Sequence, residues 1–157
     1  MGNLVTGTEP GVAAGRPAST SSGPGRALVG VYGVFALSAS ARAGYQIATK
    51  FDEAPLAYAL SAFSAVVYVL ATVALAKGGG RWRPVAWSAV LVELVGVLVV
   101  GTVSVLDAGD LSAKTVWSGY GQGYGYVPLV LPFLGLAWLW HTRSRSGDRA
   151  ARTGVDH

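Results

Sequence analysis

The stretch that decides the fold is residues 84–106, which read PVAWSAVLVELVGVLVVGTVSVL and contain one charged side chain, Glu93. A run of about 20 apolar residues is long enough for a helix to cross roughly 30 Å of hydrocarbon. Two further runs of this kind, 27–49 and 55–76, precede it in the chain. The pattern predicts a protein built from membrane-spanning helices.

The fourth span is less regular than the first three. Its apolar part, 127–140, is short for a full crossing, and Pro128 and Pro132 fall in its first turns. Either a kinked helix covers 120–141, or a short helix is completed by non-helical backbone that packs against protein. Both alternatives predict an all-α, four-span transmembrane helix bundle over residues 27–141.

The two ends of the chain are polar. Residues 1–26 are rich in Gly, Ser, Thr, Ala and Pro, and residues 142–157 are rich in arginine. Segments of this composition cannot bury enough apolar surface to offset the entropy of ordering them, so both are predicted to be disordered tails, the second of them basic. The bundle therefore stands between two tails.

Composition excludes several classes of function. Hydrophobic residues make up 52% of the chain and charged residues 13%, against about 25% charged in a soluble domain. Cysteine is absent and there are two histidines, so disulfides, thiolate sites and haem ligation have almost no residues to draw on. We expect no metal and no cofactor, and the sequence offers no catalytic arrangement of Ser, His and Asp.

Basic residues predict the orientation. They cluster in 1–26, 77–83 and 142–157, whereas Lys50 and Lys114 stand on the opposite side beside four acidic residues. The positive-inside rule then places both termini in the cytoplasm, in a multi-pass protein of the cytoplasmic (inner) membrane. The same distribution favours the lipid bilayer, and not nucleic acid, as the partner of a chain with a net charge of +4.

Two ionisable residues, Arg42 and Glu93, lie inside predicted spans. A charge near the centre of a spanning helix costs about 2.5–3.5 kcal/mol on insertion scales, so each should face protein. Their depths differ by about 9 Å of helical rise, a gap that a long arginine side chain could largely close. The pair is either a structural ion pair or part of a proton or ion pathway, or Arg42 holds an anionic ligand. Helical periodicity adds other buried polar candidates, namely Ser38, Tyr45, Gln46 and Tyr58.

A second candidate region is the outer loop 117–126, which reads WSGYGQGYGY. It is either a lid on the outer end of the bundle, a contact surface for a partner, or an interfacial loop with belt aromatics. Because the fourth span is short, we predict that this loop packs over the outer mouth of the bundle. Its candidate residues are Trp117, Tyr120, Tyr124 and Tyr126.

Three stretches of the chain together resemble a known class. They are residues 43–58, which include Ala-Gly-Tyr-Gln and Ala-Pro-Leu-Ala-Tyr, the Val-Glu-Leu-Val-Gly of 92–96, and residues 116–129. In these the chain resembles the uncharacterised small four-helix integral membrane proteins of high-GC Gram-positive bacteria. The resemblance implies a class of membrane protein and carries no activity.

Three functions follow as hypotheses. The leading one is a non-enzymatic membrane protein that acts through helix packing with itself, as a homo-oligomer, or with a membrane protein partner. The alternative is a small transporter or channel subunit that uses Arg42 and Glu93. The third, a membrane-embedded lipid-modifying enzyme, is weakened by the shortage of His and Cys.

Overall fold

The computed structural model describes residues 23–106 and 115–153. Within these ranges the chain is helical and forms no strand. The prediction of an all-helical protein is confirmed. The elements are the helices α1 (Pro24–Lys50), α2 (Pro55–Lys77), α3 (Trp82–Leu106) and α4 (Val127–Thr153), with 3-10 turns at Phe51–Glu53 and Ser118–Tyr124.

Three helices, α1 to α3, are long and apolar enough to cross a membrane. The turn Ser118–Tyr124 and the part of α4 from Val127 to Arg143 form a pair bent by 99°. Counting that pair as one broken span brings the number of candidate spans to four. The structure therefore contains three to four candidate membrane-spanning helices.

The helices run alternately up and down. Arg83 Nη2, at the start of α3, donates a hydrogen bond to the carbonyl oxygen of Leu139 at 2.9 Å, so α4 returns to the end of the bundle where α3 begins. We call this end, which also holds Arg26 and Lys77, the basic end. The opposite end, with residues 50–54, is called the loop end.

Small side chains set the helix contacts. The buried positions of α1 recur every three or four residues and half of them are alanine, as are several of α2. Alanine lets helix backbones approach closely, which is how helices pack where lipid supplies no hydrophobic driving force. Many large apolar side chains point outward, among them Leu37, Val95 and Leu106, and this apolar outer surface is compatible with a lipid environment.

Three predicted bounds change. The helix α1 begins at Pro24 and not at residue 27, since proline fits the first helical position. The helix α4 begins at Val127, so the alternative of a short helix preceded by irregular backbone is the one that forms. It continues to Thr153, so residues 142–153 are helical where a disordered tail was predicted, in keeping with the high helix propensity of Arg and Ala. Residues 1–22 of the predicted tail 1–26 lie outside the described residues.

Candidate functional site

The centre of the site is Glu93, near the middle of α3, with an exposed fraction of 0%. Its Oε2 accepts a hydrogen bond of 2.7 Å from the Tyr32 hydroxyl of α1. Within the described part of the chain, its Oε1 has no hydrogen-bond partner. A weaker contact, 3.4 Å from the Tyr32 hydroxyl to the carbonyl oxygen of Leu131, ties α4 to the same point.

Two aromatic residues extend this network toward the loop end. The Tyr68 hydroxyl of α2 interacts with the Glu93 carboxyl group and accepts a 3.2 Å hydrogen bond from Trp117 Nε1. Trp117 and Tyr68 are almost fully buried, at 1% and 0% exposure. One carboxyl group is thereby connected, directly or through one hydroxyl, to every helix and to the segment before α4.

Residues 115–126, the Trp117 segment, fill the place of a missing half-helix. Gly119, Tyr120 and Gly121 have left-handed φ angles of 56°, 59° and 80°, a conformation that costs a non-glycine residue roughly 1–2 kcal/mol. Contacts with α3 offset this cost, because the Tyr120 hydroxyl lies 2.9 Å from Thr102 Oγ1.

Glycines of α3 make room for the rings of this segment. A Cβ atom on Gly96 would stand 2.5 Å from the nearest carbon of the Trp117 ring, and one on Gly101 would stand 2.5 Å from the Tyr120 ring. The two aromatic rings thus lie directly on the backbone of α3. The Trp117 segment is packed into the bundle at this depth.

A cavity of about 410 Å³ opens at the loop end, above the buried network. The helices α1 and α3 and the Trp117 segment each contribute hydrogen-bonding side chains to its wall. Arg42 Nη1 donates a 3.2 Å hydrogen bond to the Tyr124 hydroxyl there. The polar lining consists of Arg42, Ser104, Thr115, Ser118, Gln122 and Tyr124.

A second cavity, of about 660 Å³, lies at the basic end. Val29 is in its wall, one helical turn below Tyr32, and Ala86 is two turns below Glu93. The buried network therefore lies between two cavities at opposite ends of the bundle. The charged residues that line the basic-end cavity are Arg26, Lys77 and Arg83.

The structure separates the predicted charged pair. Glu93 interacts with tyrosines near mid-bundle, whereas Arg42 contacts Tyr124 nearer the loop end. Among the described residues these two side chains form no ion pair, and the one that is found joins Lys50 and Glu53 at 3.7 Å. The two side chains do not bridge their difference in depth of about 9 Å, because each contacts a tyrosine at its own depth in the bundle.

The other predicted residues divide into buried and exposed. Gln46 and Tyr58 are buried, and Tyr58 lies at the loop end, where its hydroxyl is 3.4 Å from Glu53 Oε2. Ser38 and Tyr45 were expected inside but face outward, because the contact face of α1 follows its alanines and not its hydroxyl groups. Of the loop aromatics Trp117 is buried, Tyr120 and Tyr124 are half-buried, and Tyr126 is exposed.

Sequence reasoning missed Tyr32 and Tyr68, the two hydroxyls nearest Glu93. Tyr32 falls four residues before Ala36 and seven before Ala39, so the small-residue face of α1 was the signal that would have found it. In the described ranges no three His, Asp or Glu side chains converge to hold a metal ion.

Comparison with known proteins does not supply a function for this arrangement. No family model, no curated protein and no solved structure matches the chain.

Proposed function

We propose that the chain is a four-span protein of the cytoplasmic membrane, with its basic end and both termini in the cytoplasm. Arg26, Lys77 and Arg83 stand together at one end, whereas Lys50 at the other end is paired with Glu53. This asymmetry supports the orientation by the positive-inside rule.

Reporter fusions test this orientation. A phosphatase that is active only outside the cytoplasm should be active when fused after Asp110 and silent when fused after Gly79 or Arg145. Activity of the Arg145 fusion would contradict both the orientation and the four-span count.

We further propose that the protein is a small, non-enzymatic transport or channel component that conducts protons, with Glu93 as the relay. The observation that carries this proposal is the position of a fully buried carboxyl group between two cavities that open at opposite ends of the bundle. Ionisable residues inside spanning segments are costly, and they mark proton relays in pumps and transporters.

The relay uses hydroxyl groups that both donate and accept protons. From the loop-end cavity a proton passes Tyr124 and Ser118 with water between them and reaches Tyr68 beside Trp117. Glu93 Oε1 takes up the proton. For release, the Tyr32 oxygen accepts the proton from Glu93. Tyr32 gives up its own hydroxyl proton, which donates to Oε2 at rest, to water in the basic-end cavity one helical turn below it.

Proton flux into liposomes tests the relay. The purified chain is reconstituted with a trapped pH-sensitive dye, and a potassium diffusion potential drives protons inward. The wild type should acidify the vesicles faster than protein-free liposomes, and Glu93→Gln should lose that excess, because an amide accepts the Tyr32 hydrogen bond but cannot release a proton. Glu53→Gln is the matched control, since Glu53 is exposed, and it should keep the flux of the wild type.

Two outcomes would refute the relay. A wild-type chain whose flux equals that of protein-free liposomes conducts no protons. A Glu93→Gln variant with native circular dichroism and undiminished flux would show that the carboxyl group is structural.

A second candidate function, self-association or packing with a membrane partner, is favoured by the outer face of α1. Ser40, Gly44 and Ala48 are exposed and four residues apart, which is the small-residue spacing of helix contacts in membranes. A Cβ atom on Gly44 would meet no atom within 4 Å. Energy transfer between labelled chains in liposomes should fall for Gly44→Leu and stay constant for Val66→Leu on the exposed face of α2. Equal transfer in all three chains would contradict this function.

A further inference from the structure

The basic-end cavity has a rim of positive charge. Arg26 of α1, Lys77 of α2 and Arg83 of α3 line it together, and among the described residues its lining includes no acidic side chain. Three different helices thus direct cations at one volume of about 660 Å³. Arg26 precedes Lys77 and Arg83 by more than 50 residues, so their meeting at one cavity is a property of the folded chain.

The known contacts of these cations leave hydrogen-bond donors available. Arg83 uses one N–H group on the carbonyl oxygen of Leu139, and a guanidinium group has five. The Lys77 ammonium lies 4.5 Å from the centre of the Trp82 ring. This cation–π contact does not pair the ammonium with a carboxylate. The rim can therefore bind an anion without breaking the contacts that hold it.

Between the rim and the buried network, the wall of this cavity is apolar. Val29, Leu75, Ala86 and Leu139 line it, with Trp138 at the side. A ligand that matches both parts has an anionic group for the rim and a hydrocarbon part for the wall. A free phosphate ion offers the first and not the second.

We infer that this cavity binds the phosphate group of an anionic phospholipid, with the upper part of the lipid against the apolar wall. Guanidinium groups match phosphate through paired N–H donors. Basic pockets between spanning helices on the cytoplasmic side are suited to such headgroups. The inference rests on the rim and on the proposed orientation of the basic end toward the cytoplasm, and it stands whether or not Glu93 relays protons.

Native mass spectrometry of the purified full chain tests it. Dioleoyl phosphatidylglycerol is titrated in, with dioleoyl phosphatidylcholine as the neutral comparison and sodium phosphate, at ionic strength matched with sodium chloride, as the free-ion competitor. One phosphatidylglycerol molecule should bind with at least tenfold preference over phosphatidylcholine. Millimolar sodium phosphate should leave it bound.

Variants locate the site. Arg26→Gln and Lys77→Gln should each weaken phosphatidylglycerol binding about fivefold, the effect of one basic side chain near an anionic lipid surface. Arg81→Gln is the matched control, because Arg81 is an exposed residue at the same end and lies outside the lining, and it should change affinity less than twofold.

Three results would overturn the inference. Equal losses in all three variants would show that the basic residues act only as a diffuse surface charge that orients the chain. Displacement of the lipid by phosphate, but not by chloride, would make the ligand a free ion. Equal binding of both lipids would show that charge is not recognised. Arg83 is left unchanged because it also fixes α4.

Discussion

The contact between Gly96 and Trp117 gives the sharpest test of the fold, through the substitution Gly96→Ala. The new Cβ atom would stand 2.5, 2.7 and 2.8 Å from three carbons of the Trp117 ring, whereas carbon atoms in contact are about 3.5 Å apart or more. The ring must therefore move by about 1 Å. It has little freedom to do so, because it is 1% exposed and Nε1 is bonded to Tyr68.

The magnitude combines three effects. Overpacking of this kind costs about 1–3 kcal/mol, and a weakened Trp117–Tyr68 hydrogen bond adds about 0.5–1.5 kcal/mol. Alanine recovers about 1 kcal/mol, because it favours the helix over glycine. We expect the free energy of unfolding to fall by about 2 kcal/mol, measured by circular dichroism during titration from mild detergent into sodium dodecyl sulfate.

Gly33→Ala is the matched control, since Gly33 is also in a helix and a Cβ atom there would stand 3.7 Å from its nearest neighbour, Thr72 Cγ2, which is an ordinary contact. It should be neutral or stabilise by up to about 1 kcal/mol. In a Trp117→Leu background Gly96→Ala should lose most of its cost, because the ring is no longer there to displace. Equal stabilities for Gly96→Ala and Gly33→Ala in the wild-type background would refute the packing of Trp117 on α3.

Three further predictions concern the same core. Tyr32→Phe should lower the free energy of unfolding by about 1–3 kcal/mol, because buried Glu93 Oε2 loses its donor, and an unchanged detergent titration would speak against that bond. Gly101→Ala should cost less than Gly96→Ala in the same titration, about 1 kcal/mol, because the half-buried Tyr120 ring has room to swing outward; a larger cost would mean that Tyr120 is held as firmly as Trp117. In nanodiscs the amides of Ser118–Tyr124 should exchange hydrogen as slowly as helix ends, and exchange as fast as in a peptide of the same sequence would show that the segment is not packed.

The sequence predicts the helices well and their rotation poorly. Long apolar runs mark α1 to α3, because the length and the apolar composition that a spanning helix requires can be read directly from the sequence. Neither depends on which face of the helix turns inward. Which face turns inward depends on close packing, and in α1 it follows Ala36, Ala39 and Ala43. A prediction that favours hydroxyl-bearing residues inside therefore misplaced Ser38 and Tyr45, which are exposed.

The candidate site shows the same division. Glu93 was predicted to be buried because its charge is costly in lipid, and that argument requires no knowledge of the neighbouring helices. Its partners could not be predicted, because Tyr32 and Tyr68 reach it only after α1 and α2 are packed at particular rotations. The partner of Arg42 likewise depends on the left-handed backbone that brings Tyr124 toward α1, and no local pattern announces that backbone.

The bend between the Trp117 segment and α4 bears on how the proposed four-span chain would enter a membrane. The apolar part of α4, 127–140, gives about 21 Å of helix, which is well below the roughly 30 Å that an independent span requires. The missing length is the Trp117 segment, which is held in place by α3. We therefore expect α4 to insert only as a hairpin with α3, so that a chain lacking α3 would leave α4 outside the bilayer even though its own sequence is intact.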